Sequence, residues 1–160
     1  FAIYAGTVNS LEALEDGAKI AVPNDTTNEA RALLLLEATG LITLKEGVGL
    51  SATKKDIVEN PHNYEIVELE ASLIPRNLSE VAIAVINGNY ALQANLSVAD
   101  SLAKEASDSE AVQDYYANVL VVKEGNEENE GIKALIEVLK SDAIKNYIDT
   151  TYNSSVIFID

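Results

Sequence analysis

Cysteine is absent from the 160 residues, which excludes a disulfide framework, a thiolate nucleophile and any cysteine-built metal site. Histidine occurs once, as His62 in the loop Asn60-Pro61-His62-Asn63, where an exposed polar residue is a better reading than a general base. One histidine cannot make a histidine-based metal spacing, and no serine sits in a nucleophile elbow. The phosphate-loop pattern is missing, and Gly47-Val48-Gly49 lacks the third glycine of a dinucleotide loop. Glu68 and Glu70 share one face of a predicted strand, which reads as solvated rather than as an acid-base pair. These absences predict a protein that is not an enzyme and needs no cofactor. Positive charge is also scarce: 11 basic residues against 26 acidic ones leave a formal charge of −15, which repels nucleic acid and anionic lipid. The longest uncharged apolar runs, Ala32 to Leu36 and Val81 to Ile86, are far too short to span a bilayer. Methionine is missing even at position 1, and the chain opens on Phe1 in what its pattern makes the middle of a strand. That start fits a processed product or a piece of something longer.

What is present is a globular composition, 48% hydrophobic, in a chain long enough to bury a real core. Residues 18 to 22 form a short apolar run closed by Pro23, followed by a helical stretch from about Thr27 to Thr39 that ends at Gly40. Thr26 and Glu29 have the spacing of a capping box. Leu41 to Leu44 is a second strand candidate, and a short helix is expected near Asp56 to Glu59, stopping at Pro61. Tyr64 to Glu70 reads as a strand with Ile66 and Leu69 inward, and Val81 to Ile86 as a wholly buried one. Asn87, Gly88 and Asn89 break it before a helical pattern over Tyr90 to Leu96. Residues 97 to 114 carry only weak helical signal, Val119 to Val122 reads as a further buried strand, and Val156 to Ile159 as a last one. Between these, Ile132, Leu135, Ile136 and Leu139, then Ile144, Tyr147, Ile148 and Tyr152, are spaced as the faces of two amphipathic helices. Alternating strands and helices predict an α/β fold with a parallel or mixed sheet.

Polar side chains gather where strands end, the place where open α/β sheets bind small ligands. Only two arginines occur. Arg76, beside Pro75 in a loop, reads as an ordinary surface residue. Arg31 lies one turn into a leucine-rich helix, where a cation opposes the helix dipole, so a purpose for it is favoured. Asn24, Asn28, Asn87 and Asn118 lie at the ends of three apolar runs. Each alone is a normal turn residue, but amides can donate to a carboxylate and accept from an ammonium. Together with Arg31 they point to an amino-acid-like ligand.

Ala21-Val22-Pro23-Asn24-Asp25, then Thr27-Asn28, then Arg31-Ala32 and the run Leu33-Leu34-Leu35-Leu36, resembles the diagnostic segment of the NlpA/MetQ family of methionine-binding lipoproteins. Gly47-Val48-Gly49-Leu50, Asp56-Ile57-Val58-Glu59-Asn60-Pro61, Ile66-Val67-Glu68-Leu69-Glu70, Ala84-Val85-Ile86-Asn87 and Tyr116-Ala117-Asn118-Val119 extend the likeness, in order, over nearly the whole chain. Thr26 stands where the family often has proline, and Ala30 where it often has glycine. The resemblance implies a two-lobed, periplasmic-binding-protein-like (type II) fold that closes about a hinge, with the first lobe incomplete. Residues 18–116 would be the second lobe, and 1–17 with 117–160 the hinge and the C-terminal part of the first. It also implies capture of methionine, or a methionine-containing dipeptide, for an ABC transporter permease, outside the cytoplasm, with an N-terminal lipid anchor that this chain does not contain. Arg31 would grip the ligand carboxylate, Asn87 and Asn118 would hydrogen-bond its polar end, and Asn24, Asn28 and Tyr116 would line the same cleft. A ligand-sensing effector domain of a regulator with the same fold is the alternative. Because the family's other ligand contacts lie in the missing part of the first lobe, this piece is expected to bind methionine poorly. Calorimetry finding micromolar or tighter affinity would contradict that.

Overall fold

The structure, a computed structural model, describes residues 1–106, 116–152 and 155–159. It divides into two compact units, Phe1–Glu105 and Ala106–Asp160. The first is built on a mixed five-stranded sheet. Its strands are β1 (Ala2–Ala5), β2 (Lys19–Pro23), β5 (Glu65–Leu69), β6 (Ile83–Ile86) and β7 (Ala103–Lys104), and a small antiparallel pair is formed by β3 (Thr43–Leu44) and β4 (Ile57–Glu59). In the large sheet the order is β5-β2-β6-β1-β7. β2 runs parallel to β5 and β6, while β1 is antiparallel to β6 and β7. β1, from the first residues of the chain, is hydrogen-bonded into this sheet through β6.

Both faces of the sheet are covered, which is why β6 is apolar at every position rather than alternating. On one face Ile3, Ile20, Val22, Ile83 and Val85 pack with Leu33, Leu35 and Leu36 of helix α1 (Thr26–Ala38). On the other, Ala2, Tyr4, Ala21, Ala84 and Ile86 pack with Ile74 and with Ala91 of the short helix α2 (Gly88–Gln93). The unbroken leucine run of α1 has a cause in its surroundings: Leu44, Ala52 and Ile57 from the β3–β4 segment join its cluster, so the helix is packed on more than its sheet-facing side. Ile66 and Leu69, both expected inward, are three residues apart on a strand and pack on opposite faces.

Three local expectations are corrected. The cap of α1 is Asp25, whose carboxylate accepts from the Asn28 backbone N–H at 3.2 Å, rather than a Thr26–Glu29 box. Glu29 is instead buried, and its Oε1 accepts from the Lys54 N–H at 2.9 Å. The helix expected near Asp56 to Glu59 is a 3₁₀ turn at Lys54–Asp56 followed by β4, because β-branched Ile57 and Val58 favour an extended backbone and Ile57 and Glu59 pair with Leu44 and Thr43. In the second unit, α3 (Glu130–Leu139) and α4 (Asp142–Tyr152) form where the 3.6-residue pattern placed them. The expected strands at Val119 to Val122 and Val156 to Ile159 do not: Val119 is 75% and Val121 81% exposed. An apolar run becomes a strand only where another strand takes its hydrogen bonds, and the described residues of this unit contain none. Of the weakly helical stretch 97 to 114, residues 107–114 lie outside the described residues.

Gly6 continues β1 past its last pair, its N–H donating to Ala82 O at 3.0 Å. A Cβ there would lie 2.2 Å from Val81 O and 2.6 Å from Leu78 O. Gly6→Ala is therefore expected to destabilise the protein by about 1–3 kcal/mol through overpacking against backbone that cannot rotate away, as measured by urea unfolding.

Candidate functional site

The parallel pair β2 and β6 fixes where polar groups meet. Ile20 is opposite Ile83 and Ala21 opposite Ala84, so Asn24 and Asn87, each the residue after its strand, follow strands that end at the same level on the carboxyl edge. Ala2 pairs with both Ile86 and Lys104, which brings Phe1 and then Glu105 into the same row, and the Glu105 N–H donates to Phe1 O at 3.0 Å. From β2 the chain enters α1 over one face, and from β6 it enters α2 over the other. Neighbouring parallel strands whose helices leave to opposite faces open a crevice at their carboxyl ends.

Arg31 reaches this row from α1. Its Nε donates to Glu105 Oε1 at 3.0 Å and its Nη2 to Oε2 at 2.6 Å, and its guanidinium carbon lies 4.2 Å from the centroid of the Phe1 ring. The fork matches the carboxylate with two parallel bonds, and the stacked ring adds a cation–π contact. The unfavourable position of a cation in the first turns of a helix, worth roughly 0.3–1 kcal/mol, is offset by this carboxylate. Sequence reading missed Glu105: it stands in an Ala/Ser/Glu-rich stretch, 74 residues from Arg31, and carries no local mark.

Asn87 carries the other unusual feature. Its Nδ2 donates to Asn89 Oδ1 at 2.7 Å, while its own Oδ1 is buried and accepts from no group among the described residues. A buried acceptor without a donor costs free energy until something donates to it. Asn24 is exposed, with its backbone N–H donating to Leu69 O at 2.9 Å. Asn28 is turned to the helix cap, its Nδ2 donating to Asp25 Oδ2 at 3.0 Å. The structure thus gathers Arg31, Asn24 and Asn87 on one edge, with Asn28 in the first turn of α1 beside it. Tyr116 and Asn118 belong to the second unit, Tyr116 half-buried and Asn118 exposed. Arg76 is exposed on a 3₁₀ segment. His62 is exposed and contacts Asp16 Oδ1 through Nδ1 at 2.7 Å, and Glu68 pairs with Lys54. Among the described residues no group of acidic or histidine side chains could hold a metal ion, and no helix is long and apolar enough to cross a membrane.

Burial pushes the Glu105 carboxyl up and the Arg31 hydrogen bonds pull it down, with a net position below the ordinary value of 4.5. A carboxyl depressed in the folded state stabilises it fully above its unfolded value and loses that contribution as pH falls through the folded one. Stability should fall below about pH 4.5, and Glu105→Gln should flatten that acid limb in urea titrations run at stepped pH.

The model of the NlpA lipoprotein family matches residues 1–159. The D-methionine-binding lipoprotein MetQ of Salmonella typhimurium is 43% identical over 157 residues, which are 96% of this chain and 56% of that protein. Among solved structures, an ABC transporter periplasmic substrate-binding protein from Coxiella burnetii superposes with a TM-score of 0.87 at 40% identity, covering 99% of this chain and 65% of that one. A nutrient-binding protein from Burkholderia cenocepacia bound to methionine gives 0.82 at 38% identity, covering 96% and 62%. The chain thus spans little more than half the length of its curated relative. A family match over 159 residues makes the conclusion direct: the chain belongs to the NlpA lipoprotein family.

Proposed function

We propose that this chain is part of an extracytoplasmic solute-binding protein that captures methionine, or a methionine-containing dipeptide, and delivers it to an ABC transporter without chemical conversion. The observation that carries the reading is the buried, unpartnered Oδ1 of Asn87 on the same strand-end row as the Arg31 site. An acceptor that lacks a donor fits an ammonium or amide N–H, and a guanidinium fits a carboxylate. A zwitterionic amino acid supplies both. The names of the relatives, a methionine-binding lipoprotein and a transporter's binding protein, support methionine as the ligand, the permease as partner and lipid anchoring of the longer protein. In this reading Arg31, Asn24 and Asn87, all in the unit Phe1–Glu105, form one wall of the ligand site.

The test tolerates weak affinity. Titration of L-methionine into the isotope-labelled 160-residue chain should shift amide resonances around Asn24, Arg31 and Asn87. Asn87→Leu should weaken the response at least about tenfold, since it removes the orphan acceptor. A spectrum unmoved at tens of millimolar methionine, or shifts confined elsewhere, would refute the proposal.

A further inference from the structure

We infer that Asn89 is a positioning residue for ligand capture: it holds the Asn87 amide with its oxygen turned inward, so that the site reads a nitrogen-borne proton. The inference rests on the reading of Asn87 Oδ1 as an acceptor for the ligand amine. Asn87 is the N-cap of α2, with backbone φ −75° and ψ 148°. A capping asparagine ordinarily turns its Oδ1 to accept from the N–H two or three residues on. Here the side chain makes no such bond, and the turn is closed by the main chain: the Tyr90 and Ala91 N–H groups both donate to Asn87 O at 3.1 Å. In place of the cap, Asn87 Nδ2 donates to Asn89 Oδ1 at 2.7 Å, at the short end of the range for an N–H···O bond. A planar amide held by its nitrogen has its oxygen aimed elsewhere, and that oxygen is buried and accepts from no group among the described residues. Asn89 itself is exposed, so replacing it disturbs no core packing.

The rival reading turns both amides over, so that Asn89 Nδ2 donates to Asn87 Oδ1 and the Asn87 nitrogen faces inward. That would put two N–H bonds without acceptors where one oxygen now lies, and it would suit a ligand acceptor instead of a donor. An orphaned pair of donors is the costlier arrangement. Aspartate at position 89 separates the two orientations, because an ionised carboxylate accepts but cannot donate. It keeps the first and breaks the second.

The 160-residue chain and its Asn89→Ala and Asn89→Asp variants would be titrated with L-methionine and with desamino-methionine, which keeps the carboxylate and thioether but lacks the amine, using amide shifts around Asn24 as readout. Asn89→Ala should weaken methionine binding about fivefold and binding of the amine-free analogue less than about twofold, since one neutral hydrogen bond orders the acceptor. Asn89→Asp should hold methionine within about twofold of the unsubstituted chain. A merely structural role would weaken both ligands alike. Equal losses for the two ligands, unchanged methionine binding in Asn89→Ala, or a loss in Asn89→Asp as large as that in Asn89→Ala would overturn the proposal. Should the unsubstituted chain bind no methionine, the functional reading fails separately, and the orientation is judged by the Asn87 Nδ2 protons. One of them should lie downfield with a weak temperature dependence, lose both properties in Asn89→Ala and keep them in Asn89→Asp. Nδ2 protons that do not respond to Asn89→Ala would overturn the proposal.

Discussion

The parallel pairing of β2 with β6 is the constraint on which the rest of the first unit depends. Ile20 facing Ile83 and Ala21 facing Ala84 bring both strands to an end at the same level, so two asparagines separated by 63 positions follow strands that finish together on one edge of the sheet. Slipping this pairing by one residue would turn β2's inward set to the opposite face of the sheet. It would also move Asn24 and Asn87 out of line. The register is held because both faces are packed: Val22 and Val85 lie under the leucines of α1, while Ala21 and Ala84 lie against Ile74. Stability and site geometry are therefore set by the same contacts.

On that edge the protein keeps two features that cost free energy locally. One is a guanidinium near the start of a helix, made tolerable by a carboxylate from a strand at the far side of the sheet. The other is the unpartnered Oδ1 of Asn87, whose amide nitrogen is already committed to Asn89. Their costs are offset by the core beneath them, where Leu33, Leu36, Ile83 and Ile86 are fully buried. Each such side chain contributes about 1.5–3 kcal/mol on burial. A packed sheet can hold an unsatisfied polar atom at its rim.

The second unit shows the same physics without that support. Asn129 caps α3 by accepting from the Gly131 and Ile132 N–H groups, and Lys145 stacks on Phe158, so its helices are well terminated and locally braced. Their apolar faces nevertheless stay open, with Leu135, Ile136 and Leu139 each 40–44% exposed. Local capping and periodicity suffice to form a helix. They do not supply what it packs against.

Sequence alone determined the elements whose causes are local. The apolar run before Pro23, the leucine run ended by Gly40, the buried strand before Asn87 and the spacing of the two late helices each carry their signal within a dozen residues. Asn24, Arg31 and Asn87 were legible because turn chemistry and one misplaced cation mark them in place. Tertiary structure decided what depends on distant partners. It made Asp25 the cap once Glu29 was drawn to the Lys54 N–H, turned Ile57 to Glu59 into a strand by pairing it with Thr43 and Leu44, and left Val119 to Val122 without a sheet to join. Glu105 is the clearest case. A glutamate among alanines and serines has no signature of its own, and only the ladder between β1 and β7 carries it across 74 residues to Arg31. Hydrogen bonding and burial, not propensity, chose it, because pairing a half-buried charge is a property of the folded neighbourhood rather than of the segment that bears it.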